Sequence, residues 1–332
     1  MNLYTLKFFP PKSIIQLFQH FNIPIGAKSL NWILISVSLC LVIGLSSHAA
    51  EPGPNPKTSI NQKSLLIGLI PEHNIFKQLE RYEPVADYLS KSIGITIKLK
   101  VLTRYGNVID NFTSLGLDGA FFGSFTYTLA HAKIGVEAIA RPESTSGSST
   151  YHGLIFVRTD SGIRSPSDMK GKSFAFVDKA TTAGYILPLA YFTEHGIEDF
   201  NTFISEVYFT GTHEDAIYDV LNNKADIGAA KNTVFMRLAA ADSRIKNELI
   251  ILKKSPDVPE NVLAVKRELD DYIKTKLKQT LLNMHNEPGG PAVLSAFGAK
   301  RFIETTEDDY TGVYEYTQKI GLDLETYDYM ND

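Results

Sequence analysis

Cysteine is almost missing from this chain. Cys40 is the only one in 332 residues, and it sits inside an apolar run near the start. The rest of the sequence has no thiol, which excludes a disulfide framework, thiolate metal sites and a cysteine nucleophile, and suits an oxidising compartment. Leu39, directly before Cys40, is too large for a lipoprotein signal. Acid is missing from the first fifty residues, whose only charges are Lys7, Lys12 and Lys28. A basic excess is missing too: 33 Lys and Arg stand against 37 Asp and Glu, and no basic stripe marks a nucleic-acid surface. Catalytic signatures are equally scarce. His213-Glu214 has no second histidine four residues on, so it is not a zincin helix. Ser146, Ser148 and Ser149 fall in a small-residue loop, not on a nucleophile elbow. The glycine steps have neither P-loop nor dinucleotide spacing, no carboxylate pair stands out, and no internal repeat is visible. These absences favour a non-catalytic binder that requires no metal or organic cofactor.

Three features organise the N-terminus. Lysines lead into the apolar run 32–45, which is shorter than a bilayer span, and Ser46-Ser-His-Ala-Ala50 follows. This is the pattern of a signal peptide over 1–50, cleaved after Ala50. The alternative is an uncleaved anchor, which leaves the same domain outside the membrane. EPGPNPKTSINQK, 51–63, is a Pro-rich polar tether. About 280 residues remain, enough for two modest domains or one large one.

Beyond the tether, short apolar strands alternate with amphipathic helices. Strands are expected over 65–70, 95–102, 118–122, 136–140, 154–157, 173–177, 207–210 and 226–229, with 262–265 the last. The first helix is expected to break at Pro84 and close at Gly94, and helices over 267–285, 292–297 and 308–319 end the chain. The alternation argues for an α/β fold with mostly parallel sheets covered by helices. In such sheets ligands bind beyond the carboxyl ends of strands, where helices begin. Four junctions carry suitable groups: Thr103-Arg-Tyr105-Gly, Phe122-Gly-Ser124-Phe-Thr126, Thr181-Thr-Ala-Gly184 and Thr210-Gly-Thr212-His213. At the third, the apolar strand SFAFV breaks at Asp178 and passes through two threonines into a helix. Unpaired first-turn N–H groups, the positive dipole end and the hydroxyls together make an anion site. Simple N-capping by either threonine is the plainer alternative.

The segments RYGNVIDNF, LDGAFFGSFTYTLAHA, YHGLIFVRTDSGIRSPSDMKGKSFAFVDKATTAGYILP, GTHEDAIYDVLNNKADIGAAKN and DVPENVLAVKREL occur in the order and spacing of one family. The chain resembles the periplasmic phosphate/phosphite/phosphonate-binding proteins of ABC importers over roughly 64–325. The resemblance implies a type II periplasmic-binding fold, with two α/β lobes, a two-stranded hinge and a ligand in the cleft. Lobe 1 would comprise 64–153 and 262–332, and lobe 2 residues 154–261. It implies a small phosphorus oxyanion as ligand, an ABC permease and its ATPase as partners, a periplasmic location and a monomeric state. An anchored sensor reporting oxyanion level is the alternative role.

Ligand positions carry over where the local motif matches. The family's Ser-Thr-Ser-Gly helix start appears as Thr181, Thr182, Ala183 and Gly184, with one hydroxyl lost. Tyr105 matches the oxyanion-donating tyrosine, and Phe122 stands where some members have Tyr. Ser124 and Thr126 either cap their helix or touch the anion from the first lobe. His213 aligns with the family's histidine and would donate a charge-assisted bond. Asp226, in an apolar strand, either caps a turn or meets the ligand. The family's Ser after Tyr151-His152 is replaced by Gly153.

Overall fold

The computed structural model describes residues 62–331, so the export segment and most of the tether expected over 1–63 lie outside the described residues. Among the described residues, no helix is long and apolar enough to cross a membrane.

Strand β1 (Ser64–Leu69) feeds helix α1 (Ile75–Ile93), which starts where Asn74 Oδ1 accepts the Lys77 N–H at 3.1 Å and ends at Gly94, φ +73°. Pro84 does not break this helix. It forfeits one backbone bond, but the helix buries Tyr82, Val85, Ala86 and Leu89 against the sheet. Val85 and Leu89 contribute about 1.5–3 kcal/mol each, and with Tyr82 and Ala86 beside them this outweighs a proline penalty of about 3 kcal/mol. Strand β2 (Thr96–Val101), helix α2 (Asn107–Ser114), strand β3 (Gly119–Phe122), helix α3 (Ser124–Ile134) and strand β4 (Glu137–Ser144) follow. After the short β5 (Thr150–Tyr151) come β6 (Gly153–Arg158), β7 (Ser173–Phe176), a π-helical turn (Thr182–Ile186) continuing into α4 (Leu187–Glu194), and α5 (Phe200–Phe203). Next are β8 (Glu206–Phe209), α6 (His213–Leu221), β9 (Ile227–Lys231), α7 (Asn232–Ala241), α8 (Ser243–Glu248), β10 (Leu249–Lys254) and β11 (Val258–Pro259). The chain closes with β12 (Val262–Val265), α9 (Asp271–Asn283), α10 (Gly290–Phe297), β13 (Ala299–Ile303) and α11 (Thr311–Lys319).

Two sheets result. One has the order β13-β4-β12-β3-β1-β2, the other β10-β6-β9-β7-β8. Both are mixed, which corrects the expectation of mostly parallel sheets. β1 runs parallel to β2 and β3, and β7 parallel to β8 and β9, because helical crossovers connect strands of one direction. β12 and β6 enter their sheets from the other sheet, not through a crossover helix, and run antiparallel to their neighbours. Nor is β12 the last strand: β13 pairs with the edge of β4. Its AKRFI sequence buries only Ala299 and Phe302, so it lacks the two-residue alternation of a half-buried strand.

Between the sheets the chain crosses twice side by side, where β5 pairs antiparallel with β11 (Tyr151 with Val258, Thr150 with Pro259). The segments that open at the lobe boundaries implied by the resemblance, after 153 and after 261, are β6 and β12 inside the sheets. One buried cluster bridges the two halves, joining Phe122, Phe125 and Tyr151 to Val177, Ala183 and Ile186. After α11 the tail runs over the junction. Tyr329 donates to Asp110 (2.6 Å), Tyr327 to the Lys179 carbonyl (3.0 Å), and Asn331 Nδ2 to Asp178 (3.0 Å).

Candidate functional site

Glycine sets the geometry of the third junction. A Cβ on Gly184 would lie 2.5 Å from Val177, so the chain folds back tightly only without a side chain there. The fold-back takes a π-turn, with the Ile186 N–H bonding the Thr181 carbonyl five residues back at 3.2 Å. Such turns recur where a helix start is shaped for function. Thr181 Oγ1 donates to the Asp178 carbonyl at 2.6 Å, and Asp178 is fully buried. Its carboxyl is pushed up by burial and held back by the N–H groups of Ala180 and Tyr105, by Asn331 and by Arg104.

Helix α3 points its first turn at this junction. Thr182 Oγ1 accepts the Phe125 N–H at 2.8 Å, so a hydroxyl beside the second sheet caps a helix beside the first. Neither Ser124 nor Thr126 caps α3. Thr126 donates to the Ala180 carbonyl (2.8 Å), while Ser124 donates to the Pro259 carbonyl (2.5 Å) and lies 3.2 Å from the Tyr151 hydroxyl. Tyr105 joins from the end of β2. It is buried, its ring meets that of His213 edge-on at 5.9 Å, and its hydroxyl has no hydrogen-bond partner among the described residues. Burial, with Glu72 and Asp178 nearby, pushes that phenol well above its ordinary value and keeps it a donor.

His213 opens α6 behind the N-cap Thr212, whose Oγ1 accepts the Asp215 N–H at 2.9 Å. It is buried, and its Nδ1 accepts the Lys231 backbone N–H at 3.3 Å, which places the ring proton on Nε2. Burial lowers the imidazole to about 3; Glu72 opposes the shift, while Lys231 and His73 add to it. His213 is therefore a neutral imidazole with Nε2–H as its donor. Ala183 is buried against Gly153, where an added Cβ would lie 3.4 Å from Ala183 Cβ and 3.0 Å from Leu187 Cδ1. The two positions lacking the family's serines thus form one small-residue contact. Phe122 is fully buried, its ring 6.4 Å from Phe112.

The structure thus gathers Tyr105, Ser124, Thr126, Thr181, Thr182, Ala183, Gly184 and His213 at one junction. Asp226 lies elsewhere. It precedes β9 at the opposite end of the sheet, where its Oδ2 accepts the Ser173 N–H and hydroxyl, both at 2.9 Å. A five-residue strand separates it from the junction by roughly 16 Å.

Two further strand-to-helix steps, absent from the four picked out by sequence, bring the charges. Glu72 and His73 follow β1, and Lys231 ends β9. Lys231 Nζ meets Glu72 (3.0 Å), Glu260 (2.7 Å) and Asn261 (3.1 Å), 4.3 Å from the Tyr151 ring centroid. Burial disfavours its charge, but Glu260 and Glu72 outweigh that and raise it above its ordinary value. Glu72 is likewise held well below the carboxylate range, against its own burial, by Lys231 and Arg81. Outside this knot Lys77 pairs with Glu214 at 2.9 Å, and the Arg237 guanidinium contacts the His73 ring. A lysine terminating the otherwise apolar IGAAK strand was the available signal.

Residues 67–310 match the family described as "ABC transporter, phosphonate, periplasmic substrate-binding protein". Among curated relatives, the phosphate-import protein PhnD of Mycolicibacterium smegmatis is 24% identical over 257 residues, 74% of this chain and 79% of that one. A binding component of an ABC phosphonate transporter from Pseudomonas aeruginosa superimposes with a TM-score of 0.72 at 22% identity, covering 78% of this chain and 87% of that one. PhnD1 from Prochlorococcus marinus, solved with methylphosphonate, gives 0.70 at 20% identity over 78% and 98% of the two chains. At these identities the two structures speak for the fold alone, which is the two-lobed periplasmic-binding arrangement. With 244 of its residues matched, the chain belongs to the family of periplasmic substrate-binding proteins of ABC phosphonate transporters.

Proposed function

We propose that this protein captures a small phosphorus oxyanion (phosphate, phosphite or an alkylphosphonate) between its lobes and delivers it to an ABC permease with its ATPase. The observation that carries the reading is the Tyr105 hydroxyl, a buried donor without a partner among the described residues, on a ring packed against His213. A buried unpaired hydroxyl costs stability unless a ligand uses it. Around it stand the α3 helix start, the hydroxyls of Thr181 and Thr182, and neutral His213. A phosphoryl oxygen at the α3 N-terminus would accept the Phe125 N–H in place of Thr182 Oγ1. The Thr182 hydroxyl, which only accepts in that bond, has its own O–H to donate to a second oxygen. Closure of the lobes would complete this shell and exclude water.

Residues 1–50 would direct export and be removed, placing the chain in the periplasm as a monomer. The family's description, which names phosphonate, and the curated relative's name, which names phosphate import, support the ligand class. Titration calorimetry with phosphate, phosphite and methylphosphonate, and sulfate as control, tests the reading together with Tyr105→Phe. The variant should be at least as stable as wild type without ligand, because it loses the unpaired hydroxyl, and should lose about 1.5–3 kcal/mol of binding. Unchanged affinity in Tyr105→Phe would move the ligand away from this junction.

A further inference from the structure

Lys231 ends a fully buried strand with its ammonium inside the cleft, its side chain 4% exposed. Three N–H donors meet three oxygens there: Glu72 Oε1 at 3.0 Å, Glu260 Oε2 at 2.7 Å and Asn261 Oδ1 at 3.1 Å. The Tyr151 ring supplies a cation–π face, its centroid 4.3 Å from the nitrogen. The oxygens that meet the lysine have other partners as well. Glu72 Oε2 faces Arg81 at 3.5 Å, and Glu260 Oε2 also accepts the Asn261 N–H at 2.9 Å. The hydroxyl of that same Tyr151 reaches Ser124 and Thr182, so the ammonium stands one aromatic ring away from the hydroxyl cradle.

We propose that Lys231 is a specificity-determining residue: an ammonium built into the chain that fills the cation position beside the cradle, so the site takes oxyanions with inorganic or alkyl substituents and rejects those carrying an amine. The inference rests on the oxyanion reading above. A ligand amine entering beside Tyr151 would be buried where Glu72 and Glu260 already pair with Lys231, and an uncompensated charge is among the costliest things to bury in a protein interior. It would also face a like charge in a medium that screens poorly. With the lysine side chain removed, two carboxylates, an amide oxygen and a tyrosine face would remain, and together they make an ammonium site.

The test compares methylphosphonate with 2-aminoethylphosphonate by titration calorimetry on protein purified from the cell envelope. Wild type should prefer methylphosphonate by roughly tenfold or more. Lys231→Ala should shift that ratio toward the amine ligand by at least about tenfold. If its exposed carboxylates prevent folding, Lys231→Met/Glu260→Gln removes the cation and one carboxylate together and should bring the ratio toward unity. Equal wild-type affinities, a wild-type preference for the amine, or a folded variant that keeps the wild-type ratio would each overturn the inference while leaving the oxyanion reading standing. Binding of neither phosphonate by wild type would overturn this inference, and failure to bind phosphate and phosphite as well would overturn the oxyanion reading.

Discussion

His213 is held neutral by what surrounds it, and that makes the stability of the protein depend on pH. Burial first, then Lys231 and His73, bring its imidazole to about 3 against the pull of Glu72. His73 is lowered to about 4, again mainly by burial, with Arg237 and Arg81 helping and Glu72 and Glu214 opposing. An unfolded histidine takes up its proton near pH 6.5. Between that value and the folded ones, the unfolded chain binds protons that the folded chain refuses, so stability rises with pH. The contribution is fully present above about pH 6.5 and is lost as pH falls through the folded values of about 4 and 3. Urea unfolding between about pH 4.5 and 6 should show a slope of about 1.4 kcal/mol per pH unit for each such proton. His213→Gln should remove one proton's share of it. An unaltered slope in that variant would mean that the ring is protonated in the folded protein.

Pro84 marks where local preference and packing disagree at the scale of an element. It lies within α1, whose interior lacks the bond from residue 84 to the Glu80 carbonyl. The helix persists because its buried face is anchored on both sides of the proline, by Tyr82 and by Val85, Ala86 and Leu89. Pro84→Ala should therefore stabilise the fold by about 1–3 kcal/mol, read as a higher denaturant midpoint at unchanged slope. A lower midpoint would show that the proline's fixed φ is needed where it stands. The π-turn before α4 is the opposite case. Gly184 allows the close approach to Val177, and the strand-to-helix step was visible in sequence, but the five-residue hydrogen-bond spacing was not.

The whole molecule is held together across its cleft by bonds of quite different kinds. Phe125 to Thr182 and Thr126 to Ala180 join the two helix starts, Lys231 joins Glu72, and the tail ties Asn331 to Asp178. The crossing pair β5–β11 contains Pro259, so φ is fixed at that point and bending must be absorbed by its non-proline neighbours. Opening would break the cross-cleft bonds and expose the hydroxyls to water; a ligand that engages the same groups would favour closure. Small-angle scattering should then show a fall in radius of gyration when phosphate or methylphosphonate saturates the protein. Tight binding with an unchanged scattering curve would sink the closure mechanism.

By itself the sequence determined the alternation of strands and helices, the junctions bearing Tyr105, Ser124, Thr181 and His213, and the family. All of these follow from local periodicity, backbone chemistry and ordered motifs. Strand direction was not legible, because burial patterns carry no polarity along the chain; β6, β12 and β13 run as their sheets require. Asp226 has the same local look as a site residue, and only the sheet puts it at the far end, bonded to Ser173. Whether His213 is charged depended on groups from other elements. The charge knot of Glu72, Lys231 and Glu260 is the clearest case, since its members lie 159 and 29 residues apart in the chain. A buried ion pair is defined by who meets whom after folding, and that was decided only when the two sheets closed on each other.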